Sequence, residues 1–256
     1  METIQNPDFT LAVECRDLIL QIRINDVVLF KNRGERKTSG LWMNDFIIDG
    51  VNTLEMNVEP PAYSASSGIE PSADAFARVV VQKNNTPVYS FQYPPDAPDS
   101  PTALPTTASG EFESGTQHGL WAWQRSDEIE LNEETSAAAT THLRRLFEAC
   151  EAKDVERAVE MFGVKIHERA VAFYRNKEEC FQQEREFFNQ RLNNPVWELE
   201  TTDDDRIRYE LCGNRRMIAV KTPNGASVLK WIDYKGMNTD IPLYLSMMNG
   251  QWMIVR

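Results

Sequence analysis

The spacing of apolar residues changes twice along this chain of 256 residues, and that change restricts its possible folds more than any other feature. DLILQIRI (17–24) places Leu18, Leu20, Ile22 and Ile24 at alternate positions, the period of a strand with one face in a core. From Thr135 the spacing lengthens to three and four residues, as a helix requires, and after Pro195 it returns to two. A chain of this length can bury two separate cores, so two domains are expected.

The first stretch reads as short strands joined by turns. Asn25-Asp26 separates DLILQIRI from VVLF (27–30) as a hairpin turn, and KNRGERKTSG is a polar loop. Asp49-Gly50 turns the chain into TLEMNV, whose Leu54, Met56 and Val58 point one way. PPAYSASSGIEPSADA then breaks the pattern, and FARVVVQ and VYSFQY around KNNTP form a second hairpin. Strands at this spacing predict an all-β sandwich. Residues 94–110 are proline-rich and read as a loop or linker. GLWAWQ (119–124) alternates again and reads as a returning strand with Trp121 and Trp123 on one face, which puts the division near residue 132. The expected domains are thus 1–132 and 133–256.

Three helices are predicted in the second domain. Leu143, Leu146, Phe147 and Cys150 share one face of the first; Asp154 caps the second, which runs through Gly163 with a kink; Asn176 with Glu179 caps the third, which stops before Pro195. VWELE, RIRYELC, MIAVKT, SVLKWIDY, IPLYLSMM and QWMIVR follow as antiparallel strands separated by DDD, GN, PNG and NG.

LFEACEAKDVERAVEMF and the closing NGQWMIVR resemble the NTF2-like (SnoaL, ketosteroid isomerase) superfamily over residues 135–256. The resemblance implies an α+β cone, three helices packed on a curved antiparallel sheet, with a pocket that is catalytic in some members and a binding or packing surface in others. INDVVLF and GVNTLEMNV resemble, in strand and turn pattern alone, the jelly-roll accessory domains of glycoside hydrolases. That likeness implies nothing about sugar.

An enzyme of that superfamily uses an Asp or His base inside the cone and a Tyr or acid for an oxyanion. His142, His167, Asp233, Tyr209 and Tyr244 are the candidates for those roles. Asp233 equally begins an Asp-Tyr-Lys-Gly turn, and His142 and His167 have charged neighbours, as surface imidazoles do. No catalytic set is assigned, and His167, Tyr209, Asp233 and Tyr244 stand as pocket candidates. His118, His142 and His167 lack the H-x-x-x-H and H-E-x-x-H spacings, and DDD (203–205) lacks the glycine and glutamate of a calcium loop. ASSG and FESG fall short of G-x-S-x-G, and no glycine-rich loop ends in G-K-[ST]. Neither metal nor cofactor is expected. Trp121 and Trp123, with Trp42 and Tyr63, are the aromatics a carbohydrate-binding face would use; tryptophans at period two also line sandwich cores.

Charge is the remaining guide. Residues 1–128 carry 9 basic against 18 acidic side chains and residues 129–256 carry 18 against 21, so the net −12 divides as −9 and −3. Such a first half repels phosphate backbones and anionic lipid, excluding nucleic acid and membrane as partners and favouring a basic protein. No stretch nears the roughly 20 apolar residues of a membrane span. METIQNPDFT is not a secretory signal, and no C-x-x-C pair occurs among four cysteines, so a cytoplasmic protein with reduced thiols is expected.

The leading expectation is a non-enzymatic interaction protein, immunity- or antitoxin-like, that covers a basic effector through Asp45, Asp49, Glu55 and Glu59 with Trp121 and Trp123 beside them. An NTF2-like enzyme or small-ligand binder using the cone pocket is the alternative, and a carbohydrate-binding module a third.

Overall fold

The computed structural model describes residues 7–32, 37–61, 74–95 and 103–256. The chain divides into two compact units, Met1–Gly119 and Leu120–Arg256. The boundary falls upstream of the expected one because GLWAWQ is not a strand. Leu120 begins the second unit, and Ala122–Arg125 is a one-turn helix, α1.

The first unit contains β1 (Phe9–Arg16), β2 (Ile19–Ile24), β3 (Val27–Lys31), β4 (Lys37–Trp42), β5 (Val51–Glu59), β6 (Phe76–Lys83), β7 (Thr86–Tyr93) and β8 (Thr106–Glu113). They form two antiparallel sheets, ordered β4-β1-β6-β7 and β3-β2-β5-β8. Inward residues of both make one core: Leu11 and Val13 from β1, Val79 and Val81 from β6, Leu20 and Ile22 from β2, Leu54 and Met56 from β5. Part of the proline-rich stretch expected as a loop is β8, paired along the whole of β5 from Val51↔Glu113 to Val58↔Thr106. Its inner face is small and only weakly apolar, Thr106, Ala108 and Gly110, so periodicity did not mark it. Gly110 has a further reason to be glycine, since a Cβ there would lie 2.0 Å from the Tyr89 ring.

Buried asparagines tie this unit together. Asn25 and Asp26 turn β2 into β3 with φ of 48° and 65°, values asparagine and aspartate tolerate better than most residues. The Asn25 amide donates to Phe46 O and Asn52 Oδ1, both at 2.9 Å, and its Oδ1 accepts from Thr53 N. Asn52, with no exposed surface, also accepts from Ile48 N and donates to Ile48 O and Gly50 O.

The second unit carries α2 (Glu133–Glu151), α3 (Val155–Met161), α4 (Gly163–Ala172) and α5 (Lys177–Asn193), then β9 (Trp197–Thr201), β10 (Arg208–Cys212), β11 (Met217–Lys221), β12 (Leu229–Asp233), β13 (Asn238–Asp240), β14 (Leu243–Met248) and β15 (Gln251–Ile254). Asn132, Asp154 and Asn176 cap α2, α3 and α5 by accepting the backbone amides of Thr135, Arg157 and Glu179. The predicted second helix is two helices, broken at Phe162.

The expected cone of three helices on one curved sheet is not found. Among the described residues the chain is mostly β, with four antiparallel sheets and five α-helices; the second unit has two sheets, β10-β11-β14-β15 and β13-β12-β9. Turn chemistry explains the difference. Gly213-Asn214 and Asn249-Gly250 join sheet neighbours, whereas DDD and PNG carry the chain from one sheet to the other.

One face of β10-β11-β14-β15 packs Ile218, Val220, Leu243 and Leu245 against the helices. On the other face Met217 meets Trp123 across Gly213, where a Cβ would sit 2.7 Å from Met217 and 3.2 Å from Trp123. Asp127 N and Ile129 N bond Met247 O and Arg215 O, so residues 121–129 form a strap along that sheet. The β13-β12-β9 sheet packs on α5 through Trp231, whose ring meets Phe187 and Phe188 edge-on at 5.8 and 5.9 Å. All four cysteines are buried thiols outside any disulfide; burial pushes the Cys150 thiol up to about 12, leaving it protonated and unreactive at neutral pH.

Strap, helix and last strand meet at one buried ion pair. Glu168 of α4 and Arg256 are 5% and 4% exposed, with Arg256 Nη1 2.5 Å from Glu168 Oε2. Glu168 Oε1 accepts the amide of Ala122, and the Arg256 guanidinium lies 5.0 Å from the Trp121 ring centre. Glu168→Ala strands a charge in the interior and is expected to lower stability by roughly 3–5 kcal/mol. The joint change Glu168→Leu with Arg256→Met is expected to recover the larger part of that loss. Urea unfolding read by tryptophan fluorescence measures both, since five of the six tryptophans lie in the second unit.

Candidate functional site

The outer face of the β5–β8 ladder carries four exposed carboxylates, with Arg23 of the neighbouring β2 directly opposite Glu55. Alternation sends Val51, Thr53, Glu55, Asn57 and Glu59 outward from β5 while Leu54, Met56 and Val58 enter the core. Register places Glu111 and Glu113 on that same outer face of β8, opposite Thr53 and Val51. Glu55, Glu59, Glu111 and Glu113 are all exposed, and neither strand contains a lysine or arginine. Glu55 lies diagonal to Glu111 across the ladder, close enough for like charges to repel. Asn57 joins the strands over this face, donating to Glu55 Oε1 at 3.0 Å and accepting from the Thr107 hydroxyl at 2.7 Å.

Two of the four carboxylates expected at a partner surface are occupied otherwise. Asp49 is exposed, but its Oδ1 accepts from Thr116 Oγ1 and His118 N, at 2.9 and 2.8 Å, and its Oδ2 from Gly119 N at 2.7 Å. It closes the turn at the end of the unit. Desolvation alone would raise its pKa; the amides of His118 and Gly119, the Thr116 hydroxyl and the His118 charge outweigh that and hold it below the ordinary 3.8. Asp45 is half-buried in a one-turn 3-10 helix, with Oδ1 out of solvent. Glu55 and Glu59 alone of that set stand open.

Trp121 and Trp123 do not form an exposed aromatic face. They are 2% and 4% exposed, Trp121 against Arg256 and Trp123 against Met217 and Gly213, so neither offers a platform for sugar or partner. Of their proposed companions Trp42 is 62% exposed, and Tyr63 lies outside the described residues.

The four pocket candidates are not brought together. His167 is exposed on α4. Asp233 is buried as the keystone of its turn, Oδ1 accepting from Lys235 N and Met237 N at 2.8 Å. Tyr209 and Tyr244 face opposite sides of one sheet: Tyr209 stands opposite Val220 and Tyr244 opposite Ala219, and successive residues of a strand alternate. The Tyr209 hydroxyl bonds Thr140 Oγ1 at 2.7 Å; burial raises its pKa, against the pull of that bond. His142 is half-buried, and desolvation with the nearby Arg145 pushes its pKa down. Among the described residues no three of His, Cys, Asp and Glu gather as metal ligands, and no helix is long and apolar enough to cross a membrane.

Glu111 and Glu113 are not among the expected site residues, because the proline-rich reading of 94–110 hides the strand that carries them. The usable signal was the polar alternation of Thr107, Ser109, Glu111 and Glu113 around Phe112. The cations Lys165 and Arg169, a like-charge i,i+4 pair on α4, are not among the expected residues either. No protein-family model, curated protein or solved structure matches the chain.

Asp49→Ala is expected to destabilise the first unit at pH 7. Because its folded pKa is depressed, the contribution of this carboxylate is complete above the unfolded value near 3.8 and disappears as pH falls through the lowered folded one. The difference in denaturation midpoint between wild type and variant should therefore shrink on acidification below 3.8, and a difference independent of pH would contradict the assignment.

Proposed function

We propose that this is a non-enzymatic cytoplasmic binding protein that docks a basic protein on the outer face of its β5–β8 ladder. An immunity-like role, shielding the working surface of a cationic effector, is the concrete form. The observation that carries the reading is the set Glu55, Glu59, Glu111 and Glu113 on one exposed face of two strands that hold no cation. Like charges set diagonally across a ladder cost stability; Arg23 of β2, opposite Glu55, offsets part of that cost, and a partner's lysines and arginines would offset the rest at Glu59, Glu111 and Glu113. The same field speeds encounter with a cationic partner and weakens with salt.

The test is capture from host lysate on wild-type protein and on E55K/E59K/E111K/E113K, at low and moderate salt. Because all four side chains are exposed, the reversed protein is expected to fold, each change shifting stability by about 0.5 kcal/mol or less. One stoichiometric basic protein retained by wild type and lost from the variant supports the reading. Equal retention by both, or retention of nothing at low salt, sinks it.

A further inference from the structure

The second unit contains a cleft of about 350 Å³ between α4, α5 and β13 with the Ile241-Pro242 that follow it, and it has the opposite character to the acidic face. α4 contributes Lys165, Ile166 and Arg169, the link to α5 contributes Arg175, and Phe187 and Ile241 add apolar wall. This volume falls within the range of small-molecule sites, and apolar walls with a few convergent charges are what such sites use. Lys165 Nζ bonds Pro242 O at 3.1 Å, tying α4 to the far wall. Arg169 and Arg175 both approach the Phe173 ring, at 6.0 and 5.4 Å from its centre, and neither has an ion-pair partner among the described residues.

In a chain of net charge −12, two arginines gathered at one cleft beside Lys165, with no ion-pair partner for either arginine among the described residues, need a reason. The position of Arg169 in the last turn of α4 gains from the helix dipole, but that does not account for Lys165 one turn earlier or for the apolar wall beside them. Two carboxylates also line the cleft, Glu184 and Asp240. Burial drives the Glu184 carboxyl up, against the charges of Lys165 and Arg169 that pull it down. Three positive and two negative groups leave one positive charge, matched by one negative charge on a ligand. A dianion would exceed that match and meet the two acids.

We propose that the cleft binds a small organic monoanion, a carboxylate on an apolar body, its acid group held by Arg169 and Arg175 and its body against Ile166, Phe187 and Ile241. Guanidinium groups suit a carboxylate because each offers parallel donors to its two oxygens.

Calorimetric titration of the full chain with benzoate, hexanoate, benzamide and phenyl phosphate tests this. Saturable binding of benzoate or hexanoate is expected, tighter than that of neutral benzamide and of phenyl phosphate. Arg169→Gln with Arg175→Gln, both at exposed positions, should weaken it by about 10-fold or more, as losing a charge-assisted contact implies. A thermal unfolding profile unchanged in that variant separates lost binding from lost fold. The proposal is overturned by carboxylate binding no tighter than benzamide's, by affinity undiminished in the double variant, by phenyl phosphate binding more tightly, or by no saturable binding of either carboxylate.

Discussion

Glu168 and Arg256 leave water together, and much of the second unit is arranged around that event. Burying an ion pair does not by itself stabilise a protein, because desolvation of both charges can match or exceed their attraction. Here Nε and Nη2 of Arg256 are buried with no hydrogen-bond partner, which adds to the cost. What the pair supplies is definition. Glu168 must meet the Ala122 amide through one oxygen and Arg256 through the other, so one helix, the strap and the chain end have a single mutual placement that satisfies it. An apolar substitute of equal volume would tolerate sliding. The strap in turn covers the sheet face holding Met217, Tyr244 and Ser246, a face that would otherwise stand open.

The first unit reaches definition by neutral means. Asn25, Asn32, Asn44 and Asn52 are each at most 5% exposed, and each stands in for backbone pairing where the strands turn. Asn44 accepts from Phe9 N and donates to Pro7 O; Asn32 accepts from Leu20 N and donates to Leu18 O. Amide groups carry both a donor and an acceptor, so a buried asparagine can replace a missing strand neighbour without bringing in charge. Because Asn52 pins the start of β5, the alternation that follows is locked: Leu54, Met56 and Val58 inward, Glu55 and Glu59 outward. A slip of one residue would reverse all five. The acidic face is thus set by an uncharged residue two positions before it begins to alternate with the core.

These two devices differ in how they can be read. Alternation was legible wherever the inner residues are large, as at Leu18, Leu20, Ile22 and Ile24, all with no exposed surface. It failed at β8, where threonine, alanine and glycine fill the inner positions before Phe112, and at Gly110 the Tyr89 ring occupies the space a side chain would take. It misled at GLWAWQ, where two tryptophans at period two suggested a strand; Gln124 accepts the Trp121 amide and closes a helical turn instead. Caps at Asp154 and Asn176 were legible, since capping is local. Sheet membership was not, because DDD and PNG signal a change of direction without saying which strand comes next. The same limit hid the site residues. Glu111 and Glu113 join Glu55 and Glu59 only through a pairing distant in sequence, and Arg175 joins Lys165 and Arg169 only once α4 ends and α5 begins.

The rotation of α4 connects the buried pair to the surface chemistry. Successive helical residues are about 100° apart, so fixing Glu168 inward turns Arg169 away from Arg256 and toward the cleft, with Lys165 one turn before it. Their mutual repulsion is internal to α4 and unchanged by its rotation, so packing and the buried pair alone decide whether the two cations turn toward the cleft or away from it. A buried carboxylate with two specific partners resists turning away, since any rotation large enough to separate the cations from the cleft would leave Arg256 unpaired in the interior. The interior charge therefore holds the exterior ones in place. An acidic chain can keep a positively charged recess only if something stronger than surface electrostatics fixes the helix that carries it, and the pair at Glu168 and Arg256 is strong enough because breaking it costs several times what an exposed charge contact returns.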